Sequence, residues 1–496
     1  MRRRTFLTAG GAGAAAVLIG PWIRRSSAAS FGEFPAGTTS VQLPDGQKAK
    51  KVLEVFLYGG LSAWETLYFV RDYGTPSDPV APNSQYYALS QTQALSQCGG
   101  VDASVPRPFA TDGNTAMVEL GPFAHRLYQR SDITARMRLV VQKHNLEPHE
   151  AAVPMALTGR PVGQPNAAGL GAHIQRARID ARVSPGRASP YSYVFATGGI
   201  SSDNVAAAAA SGTHPGGARP LLIKTDNAGR FTNLLTRPAV GSGRPQHDAL
   251  VGAYLDQYNA RLVYPERGRV RSARTDDFAV AFETTKRSGS IASVLTPDLF
   301  QERNGTSCGV TDRSLPLMGL SAARHLLTHP TEPASYVCVS DTGLYEASGG
   351  GGYDTHSDNS VDTAVNFDNM LQSLLGMINA PGEADPTKIS LDDTLVILNT
   401  EFGRTPGKQG MTGRNHYPQA YVTAFIGGPV TSSWKGVAGA IGRDGKAKDG
   451  AATPAENRMA ALLALGIWPF AQEGFNVADT PSATSELAAA QSAMTK

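Results

Sequence analysis

The chain of 496 residues contains few cysteines and few charged residues, and its basic residues are unevenly distributed. Its three cysteines, Cys98, Cys308 and Cys338, are too few for a disulfide framework and allow one bridge, and we expect Cys338 to be a buried thiol. No run of about 20 apolar residues is present, which excludes a multi-pass membrane protein. With 41% hydrophobic and 18% charged residues, the chain is able to bury a substantial core.

The positive formal charge comes from the amino terminus alone. Residues 1–29 carry five arginines and no acid, so the formal charge falls from +3 for the whole chain to −2 for the remainder. A chain without a basic surplus is poorly suited to neutralising a phosphate backbone. The composition therefore disfavours nucleic acid as a partner.

The amino terminus has the pattern of an export signal. Arg3 and Arg4 begin the sequence Arg-Arg-Thr-Phe-Leu, which has the twin-arginine form, and a weakly apolar segment follows at 8–23. Ser27-Ala28-Ala29 is a small-residue cleavage site. We expect residues 1–29 to be a twin-arginine signal peptide, rather than a basic disordered tail, and the mature protein to be periplasmic or extracellular, with no integral membrane segment.

Apolar runs of strand length alternate with helical periodicities along the mature chain. This alternation predicts an α/β fold with a mostly parallel sheet and helices on both faces, which places ligands at the carboxyl ends of the strands. The predicted strands are 52–58, 137–142, 336–340, 394–398 and 421–426, and the predicted helices are 247–262, 318–327 and 361–378.

The chain divides by composition into one large domain and two smaller segments. We expect a domain over 30–472, interrupted at 199–245 by an Ala-rich and then Gly/Pro-rich insertion or cap. Residues 473–496 are rich in Ala, Ser and Thr and are predicted to be a peripheral carboxy-terminal segment.

Metal-capable side chains follow several of the predicted strands. Asp354 and His356 lie two residues apart beside the glycines of 349–352. Glu401 follows the predicted strand 394–398, and His416 precedes the predicted strand 421–426. Any one of them alone would be interpreted as a surface acid or a satisfied loop histidine. Their shared position favours a metal site, and histidine with carboxylate ligands suits zinc best, with manganese or calcium as alternatives.

Three segments resemble proteins of the alkaline phosphatase and sulfatase superfamily. Residues 392–403 (DDTLVILNTEFG) resemble its late strand, which typically runs Asp-Thr-Leu-Val-Ile and ends in Ser-Asp-His-Gly or Ser-Asp-Asn-Gly. His416, followed by the apolar run 421–428, is similar to the superfamily's last metal histidine. Residues 157–160 (Leu-Thr-Gly-Arg) match the end of the sulfatase nucleophile helix, and His149 stands where a sulfatase carries its modified cysteine.

The complete set of motifs resembles an exported family called domain of unknown function 1501. The set comprises the twin-arginine sequence, Gly59-Gly60, Asp354-Thr355-His356, residues 401–406 (EFGRTP) and residues 413–416 (GRNH). It spans roughly residues 50–430. The resemblance implies an alkaline phosphatase/sulfatase-like α/β domain with loop insertions.

The resemblance also implies one complete and one incomplete metal site. The first site has its counterparts in Asp354, His356 and His416. The counterparts of the second site are Glu65, His149, Glu401 and Phe402. Because a phenylalanine cannot bind a metal, the second site lacks a ligand.

The candidate catalytic residues are His149 and Arg404. His149 would act as a nucleophile or as a further metal ligand, and Arg404 would pair with an anionic substrate oxygen or form an ordinary loop salt bridge. The chain has no Cys-x-Pro-x-Arg or Ser-x-Pro-x-Arg sequence, which disfavours a sulfatase proper.

Three functions agree with these residues. The first is an exported metal-dependent hydrolase of phosphate or sulfate esters, acting on a small anionic ester or a polysaccharide-type substrate. The second is a non-catalytic binding or surface-assembly protein on a hydrolase-like scaffold, and the third, less favoured, is a phosphomutase or transferase. The sequence identifies no protein partner.

Overall fold

The fold is described from a computed structural model of the chain. The structure describes residues 31–74, 106–163, 167–180, 193–197, 220–224, 243–261, 263–264, 268–269, 293–296, 299, 301–344, 352–410, 412–431, 434–470 and 485–496. The predicted signal at 1–29 lies outside the described residues, as does most of the predicted insertion at 199–245.

An eight-stranded sheet forms the centre of the protein. Its strands in chain order are β1 (Lys51–Leu57), β2 (Met137–Gln142), β3 (Tyr193–Thr197), β4 (Leu221–Lys224), β5 (Tyr336–Asp341), β6 (Thr394–Asn399), β7 (Tyr421–Gly427) and β8 (Gly436–Ala438). Across the sheet they lie in the order β8-β2-β7-β6-β1-β5-β3-β4. Within the predicted insertion at 199–245, the described strand β4 forms one edge of this sheet.

All strands of the sheet except β7 run in the same direction. The carboxyl ends of β1, β2, β5 and β6 therefore meet at one edge of the sheet, which we call the carboxyl edge. Because β7 is antiparallel to both β6 and β2, the chain enters β7 at that same edge. Residues just before β7 consequently lie beside residues that follow the other strands.

Helices cover both faces of the sheet. The described helices are α1 (His125–Tyr128), α2 (Ser131–Thr134), α3 (His149–Thr158), α4 (Leu170–Asp180), α5 (Arg244–Arg261), α6 (Leu315–Leu327), α7 (Asn359–Gly376), α8 (Pro454–Ala464) and α9 (Glu486–Thr495). Helices α6 and α7 bury apolar residues in the core on one face, and α3, α4, α8 and α9 do so on the other. Along β1, Leu53 and Val55 point to the first core, and Val52 and Phe56 point to the second.

The predicted α/β fold is confirmed, with a mixed but mostly parallel sheet. Each predicted strand and helix is present, with ends that differ by up to three residues from the prediction. The sequence reasoning missed the short strands β3, β4 and β8. Four two-stranded ribbons complete the described strands: Arg107–Thr111 with Met117–Leu120, Val263–Tyr264 with Gly268–Arg269, Asn304–Ser307 with Val310–Arg313, and Gly403–Arg404 with His416–Tyr417.

Cys338 lies on β5 and is a buried free thiol, as predicted. Cys308 is disulfide-bonded. In the described part of the chain, no helix combines the length and the apolar character needed to cross a membrane.

Candidate metal centre

The carboxyl edge brings together side chains from four separate parts of the chain. Helix α3 follows β2 and begins at His149, and the loop after β5 carries Asp354 and His356. Glu401 lies two residues after the end of β6. His416 precedes β7, and the antiparallel direction of that strand places it at the same edge as the others.

His149, Asp354 and His416 form one compact cluster. Each offers a ligand atom within 4.8 Å of the others, and they are the group of potential metal ligands found within the described residues. His356 joins this cluster, since its Nε2 atom lies 3.0 Å from His416 Nε2 and 3.1 Å from Asp354 Oδ1. His416 Nε2 lies 3.4 Å from the same Asp354 oxygen.

The separations among Asp354, His356 and His416 fit the ligands of a single ion. Donor atoms bound tetrahedrally with bonds of about 2 Å lie about 3.3 Å apart. The distances among Asp354, His356 and His416 range from 3.0 to 3.4 Å, and His149 Nε2 is 3.5 Å from the second oxygen, Asp354 Oδ2. The donor set of imidazoles and one carboxylate matches the chemistry of zinc.

Glu401 fixes the orientation of His149. Its Oε1 atom lies 2.8 Å from His149 Nδ1 and accepts a hydrogen bond of 2.7 Å from the backbone N–H of Gly59. With Nδ1 held in this way, the buried Nε2 atom of His149 faces Asp354 and makes no hydrogen bond to any described residue. A carboxylate that holds the far nitrogen of a ligating histidine is a common arrangement in metal sites.

Arg404 holds the other side of the cluster. Its guanidinium is fully buried and donates from Nη2 to Asp354 Oδ1 at 2.6 Å. It also donates to the backbone carbonyls of Gly59, Gly60 and Arg414. The predicted role of Arg404 toward a substrate is not tested, but its observed contacts position Asp354.

A short ribbon ties the two halves of the cluster together. Arg404 and His416 are cross-strand partners in the antiparallel pair Gly403–Arg404 and His416–Tyr417. The loop between them packs on the loop that carries His356, with Arg414 N–H donating to the carbonyl of Thr355 at 3.0 Å. Gln409 from the same loop lies 2.8 Å from His356 Nδ1.

Gly59 is required at the turn after β1. Its φ of +110° lies in the left-handed region, and a Cβ atom there would collide with the backbone nitrogen of Asp354. The absence of a side chain thus lets the backbone of β1 approach the loop that carries the central carboxylate.

Glu65, a predicted metal ligand, is not part of the cluster. It is fully buried, and its Oε1 atom accepts hydrogen bonds from Arg414 at 2.6 and 3.0 Å. Its Oε2 atom accepts one from Ser62. Both carboxylate oxygens are therefore occupied by protein donors.

The electrostatics of the cluster are strongly coupled. Burial alone lowers the pKa of His149, but its contacts with Asp354 and Glu401 outweigh burial and raise the pKa to about 9. Burial would raise the pKa of Asp354, yet His149, His416 and Arg404 hold it well below its usual value. Asp354 is consequently ionised.

Phe402 forms an apolar wall beside the histidines. Its ring centroid lies 4.5 Å from that of His416 and 5.0 Å from that of His149. The ring occupies the position where the superfamily resemblance would place a ligand of a second ion.

Sequence reasoning missed several supporting residues. His144 lies with Nε2 2.6 Å from the carbonyl oxygen of Glu401, and Arg414 neutralises Glu65. One feature of the sequence could have drawn attention to Arg414: the dipeptide Gly413-Arg414 repeats the dipeptide Gly403-Arg404. His144 and Gln409 carry none, because their roles depend on contacts between distant parts of the chain.

A search of curated proteins and a search of solved structures each found no match. A family described as "Protein of unknown function (DUF1501)" matches residues 49–465, which include every residue of the cluster. The chain therefore belongs to the DUF1501 family.

Proposed function

We propose that this protein is an exported, metal-dependent hydrolase of phosphate or sulfate esters that uses a single divalent ion. The observation that carries the proposal is the convergence of His149, His416 and Asp354 at the carboxyl edge of the sheet, with His356 in contact with the last two. Open α/β sheets bind ligands at this edge. A divalent ion bound there would act as a Lewis acid toward an ester.

The residues of this chain would divide the work between binding and support. Asp354, His416, His149 and His356 would hold the ion, with zinc the best fit to this donor set. Glu401 would keep His149 Nε2 directed inward, and Arg404 would keep Asp354 in place. His356 has the most exposed side chain of the four, at 34%, and would mark the side from which a substrate enters.

The charge of the centre supports an anionic substrate. Asp354, Glu401 and Arg404 together give a net charge of −1 when the imidazoles are neutral. A divalent ion would change this to +1. A positively charged centre that is partly open to solvent attracts oxyanions such as phosphate and sulfate esters.

The scaffold we propose is alkaline phosphatase/sulfatase-like. Support comes from the mostly parallel sheet, from α3 beginning at His149, and from the ribbon strand His416–Tyr417 that precedes β7. An experimental structure with a bound ion would test this relationship through the strand order and the identity of the ligands.

Export by the twin-arginine route is part of the proposal. The Arg3-Arg4 sequence supports it, and so does the disulfide at Cys308, because disulfides persist in oxidising compartments. Replacing both Arg3 and Arg4 by lysine should leave the precursor in the cytoplasm, as measured by fractionation. Normal export of that variant would refute the route.

Metal binding is tested first and separately from activity. Calorimetry with Zn²⁺, Mn²⁺ and Ca²⁺ on purified protein should give one site per chain and the tightest binding for Zn²⁺. His416→Ala should abolish this binding, whereas the exposed His247, on α5, provides a matched control in His247→Ala. Equal binding by both variants would show that the ion is held elsewhere.

Activity is then tested on the metal-loaded protein. Generic phosphomonoesters, phosphodiesters and sulfate esters should reveal turnover that is lost in His149→Ala and His356→Ala. The second candidate function, a metal-stabilised binding or assembly protein, is favoured by Phe402, because a one-ion centre lacks the clamp of two-metal hydrolases. One bound ion without turnover on any ester class would select this second function.

A further inference from the structure

A second polar groove lies away from the metal centre, between α6, α7 and the ribbon strand Asn304–Ser307. Helix α6 contributes Leu317, Ser321 and Arg324, which lie on one face at helical spacing. Helix α7 contributes residues from its last two turns, including Asn369, Ser373 and Gly376. The groove has a volume of about 490 Å³, within the range of small-molecule sites.

The groove is separated from the metal centre by the length of α7. The first residue of that helix, Asn359, donates its N–H to Thr412 in the loop that packs against His356. The groove is lined by the opposite end of the helix. An 18-residue helix is about 27 Å long, so the two regions do not share a ligand of small size.

The residues that line the groove carry a net positive charge. Arg303 and Arg324 line it, and none of the described residues that line it is acidic. Arg303 donates to the hydroxyl of Ser321 at 3.3 Å rather than to a carboxylate. Hydrogen bonds from Thr387 are the main cause that lowers the pKa of Asp385, the charges of Lys388 and Arg324 lower it further, and Asp385 and Arg324 form no ion pair.

Two further features point to a ligand. The Nε atom of Arg324 is buried and lacks a hydrogen-bond partner, which is costly for a cationic donor. Apart from adjacent residues and the helix backbone, no atom lies within 4 Å of the position that a Cβ atom would take at Gly376, so the groove is wider at the end of α7. A bound oxyanion would satisfy the arginines, and neighbouring hydroxyl and amide groups would bind the polar remainder of its molecule.

We propose that this groove binds a small polar molecule that carries an oxyanion, such as an acidic monosaccharide unit. Arg303 and Arg324 recognise the carboxylate, sulfate or phosphate group, because the planar guanidinium matches the geometry of such groups. Ser373 and Gln372, which also line the groove, bind the hydroxyl groups, since Ser321 already donates to Leu317 and Asn369 is bonded to Ser314. The proposal does not depend on the metal centre, since none of its residues belongs to that cluster.

Calorimetry on the full chain tests the proposal with glucuronate as the sugar acid, inorganic sulfate and phosphate as free anions, and glucose as the neutral control. Glucuronate should bind the wild type, and Arg303→Gln or Arg324→Gln should weaken it about tenfold or more, as expected for loss of a charge-assisted hydrogen bond. Gly376→Leu should also weaken binding, by filling the groove without removing a charge. Arg313→Gln is the matched control, because Arg313 pairs with Glu302 and does not line the groove.

The outcomes separate the sources of the anion. Tighter binding of glucuronate than of sulfate and phosphate supports a sugar acid as the ligand. Equal binding of all three supports a site that recognises only the charged group. Binding that is abolished by His416→Ala but unchanged in both arginine variants would place the anion at the metal centre and overturn the proposal. Absence of binding by every anion to wild-type protein of unchanged melting temperature would overturn it as well.

Discussion

Two carboxylate clusters in this protein contain similar groups and differ in how well those groups are satisfied. Within the sheet, Glu54 on β1 is fully buried and accepts hydrogen bonds from Tyr336, Asn399 and Arg458 at 2.6 to 2.8 Å. At the carboxyl edge, Asp354 pairs with Arg404 and faces three imidazoles. The interior cluster is closed, and the edge cluster is open to solvent.

The difference separates a structural polar network from a candidate binding site. In the interior, both oxygens of Glu54 have donors, although Arg458 Nε is buried without a hydrogen-bond partner among the described residues, and a network of this kind stabilises one arrangement of the core. At the edge, His149, His416 and Asp354 each place a potential ligand atom within 4.8 Å of the others, which is the arrangement that a cation site requires. A group of potential ligand atoms that lie close together is therefore more informative about function than a buried charge whose hydrogen bonds are made within the protein.

The largest effect is expected from opening the interior cluster. Arg458→Met leaves Glu54 buried without its cation and should lower the free energy of unfolding by about 3–5 kcal/mol, measured by urea denaturation. The exposed pair Arg136–Asp392 offers a matched control, since Arg136→Met should cost less than about 1 kcal/mol. Equal costs for the two variants would show that the interior network does not support the fold.

The next effect concerns a carboxylate that has only neutral partners. Asp341, at the end of β5, is fully buried and accepts hydrogen bonds from Gly343 and Tyr353 at 2.8 Å. Burial raises its pKa to about 6, so the folded state retains a proton that the unfolded chain loses at lower pH. Its contribution to stability is complete below about pH 4 and is lost as the pH rises through about 6.

Asp341→Asn removes this dependence. Relative to the variant, the wild type should lose about 2–3 kcal/mol of unfolding free energy between pH 4 and pH 6.5, measured by denaturation at each pH. A difference between the two proteins that stays constant over this interval would contradict the raised pKa.

A smaller effect is expected when the support of the edge cluster is weakened. Glu401→Gln removes the negative charge that holds His149 Nδ1 and should weaken metal binding about 10–100-fold, as measured by competition with a chelator. Glu383→Gln alters an exposed carboxylate that pairs with Lys388, and it should leave the affinity unchanged. An unaltered affinity in Glu401→Gln would show that His149 needs no orienting carboxylate.

The smallest effect is expected at Phe402. Phe402→Leu keeps an apolar side chain beside His416 and removes no ligand atom, so the affinity for the ion should change less than about threefold. The stoichiometry should remain one ion per chain, measured by elemental analysis. A second ion in the variant would show that the ring alone had excluded it.

The framework of the fold followed from local patterns. Apolar runs such as 394–398 and 421–426 predicted central strands, and the polar residues after them predicted the position of the site. The single antiparallel strand β7 was not predicted, because the direction of a strand depends on the path of the chain between strands. That direction explains why His416 meets residues that follow other strands.

The roles of individual site residues were harder to predict. Asp354, His356, His416 and His149 lie together, but the sequence reasoning could not distinguish Glu401, which holds a histidine, from Glu65, which pairs with Arg414. Both are buried glutamates near strand ends. Their difference is set by partners more than 250 residues away in the chain, which no local pattern contains.

The position of β1 in the sheet has a consequence for synthesis. This strand is made early, yet both of its neighbours, β5 and β6, come from the last third of the chain. During translation a strand that is almost entirely buried in the folded protein must wait for most of the polypeptide before it can pair. Incomplete chains would expose two unpaired strand edges and be prone to aggregate, so only nearly full-length chains can assemble the centre of the sheet.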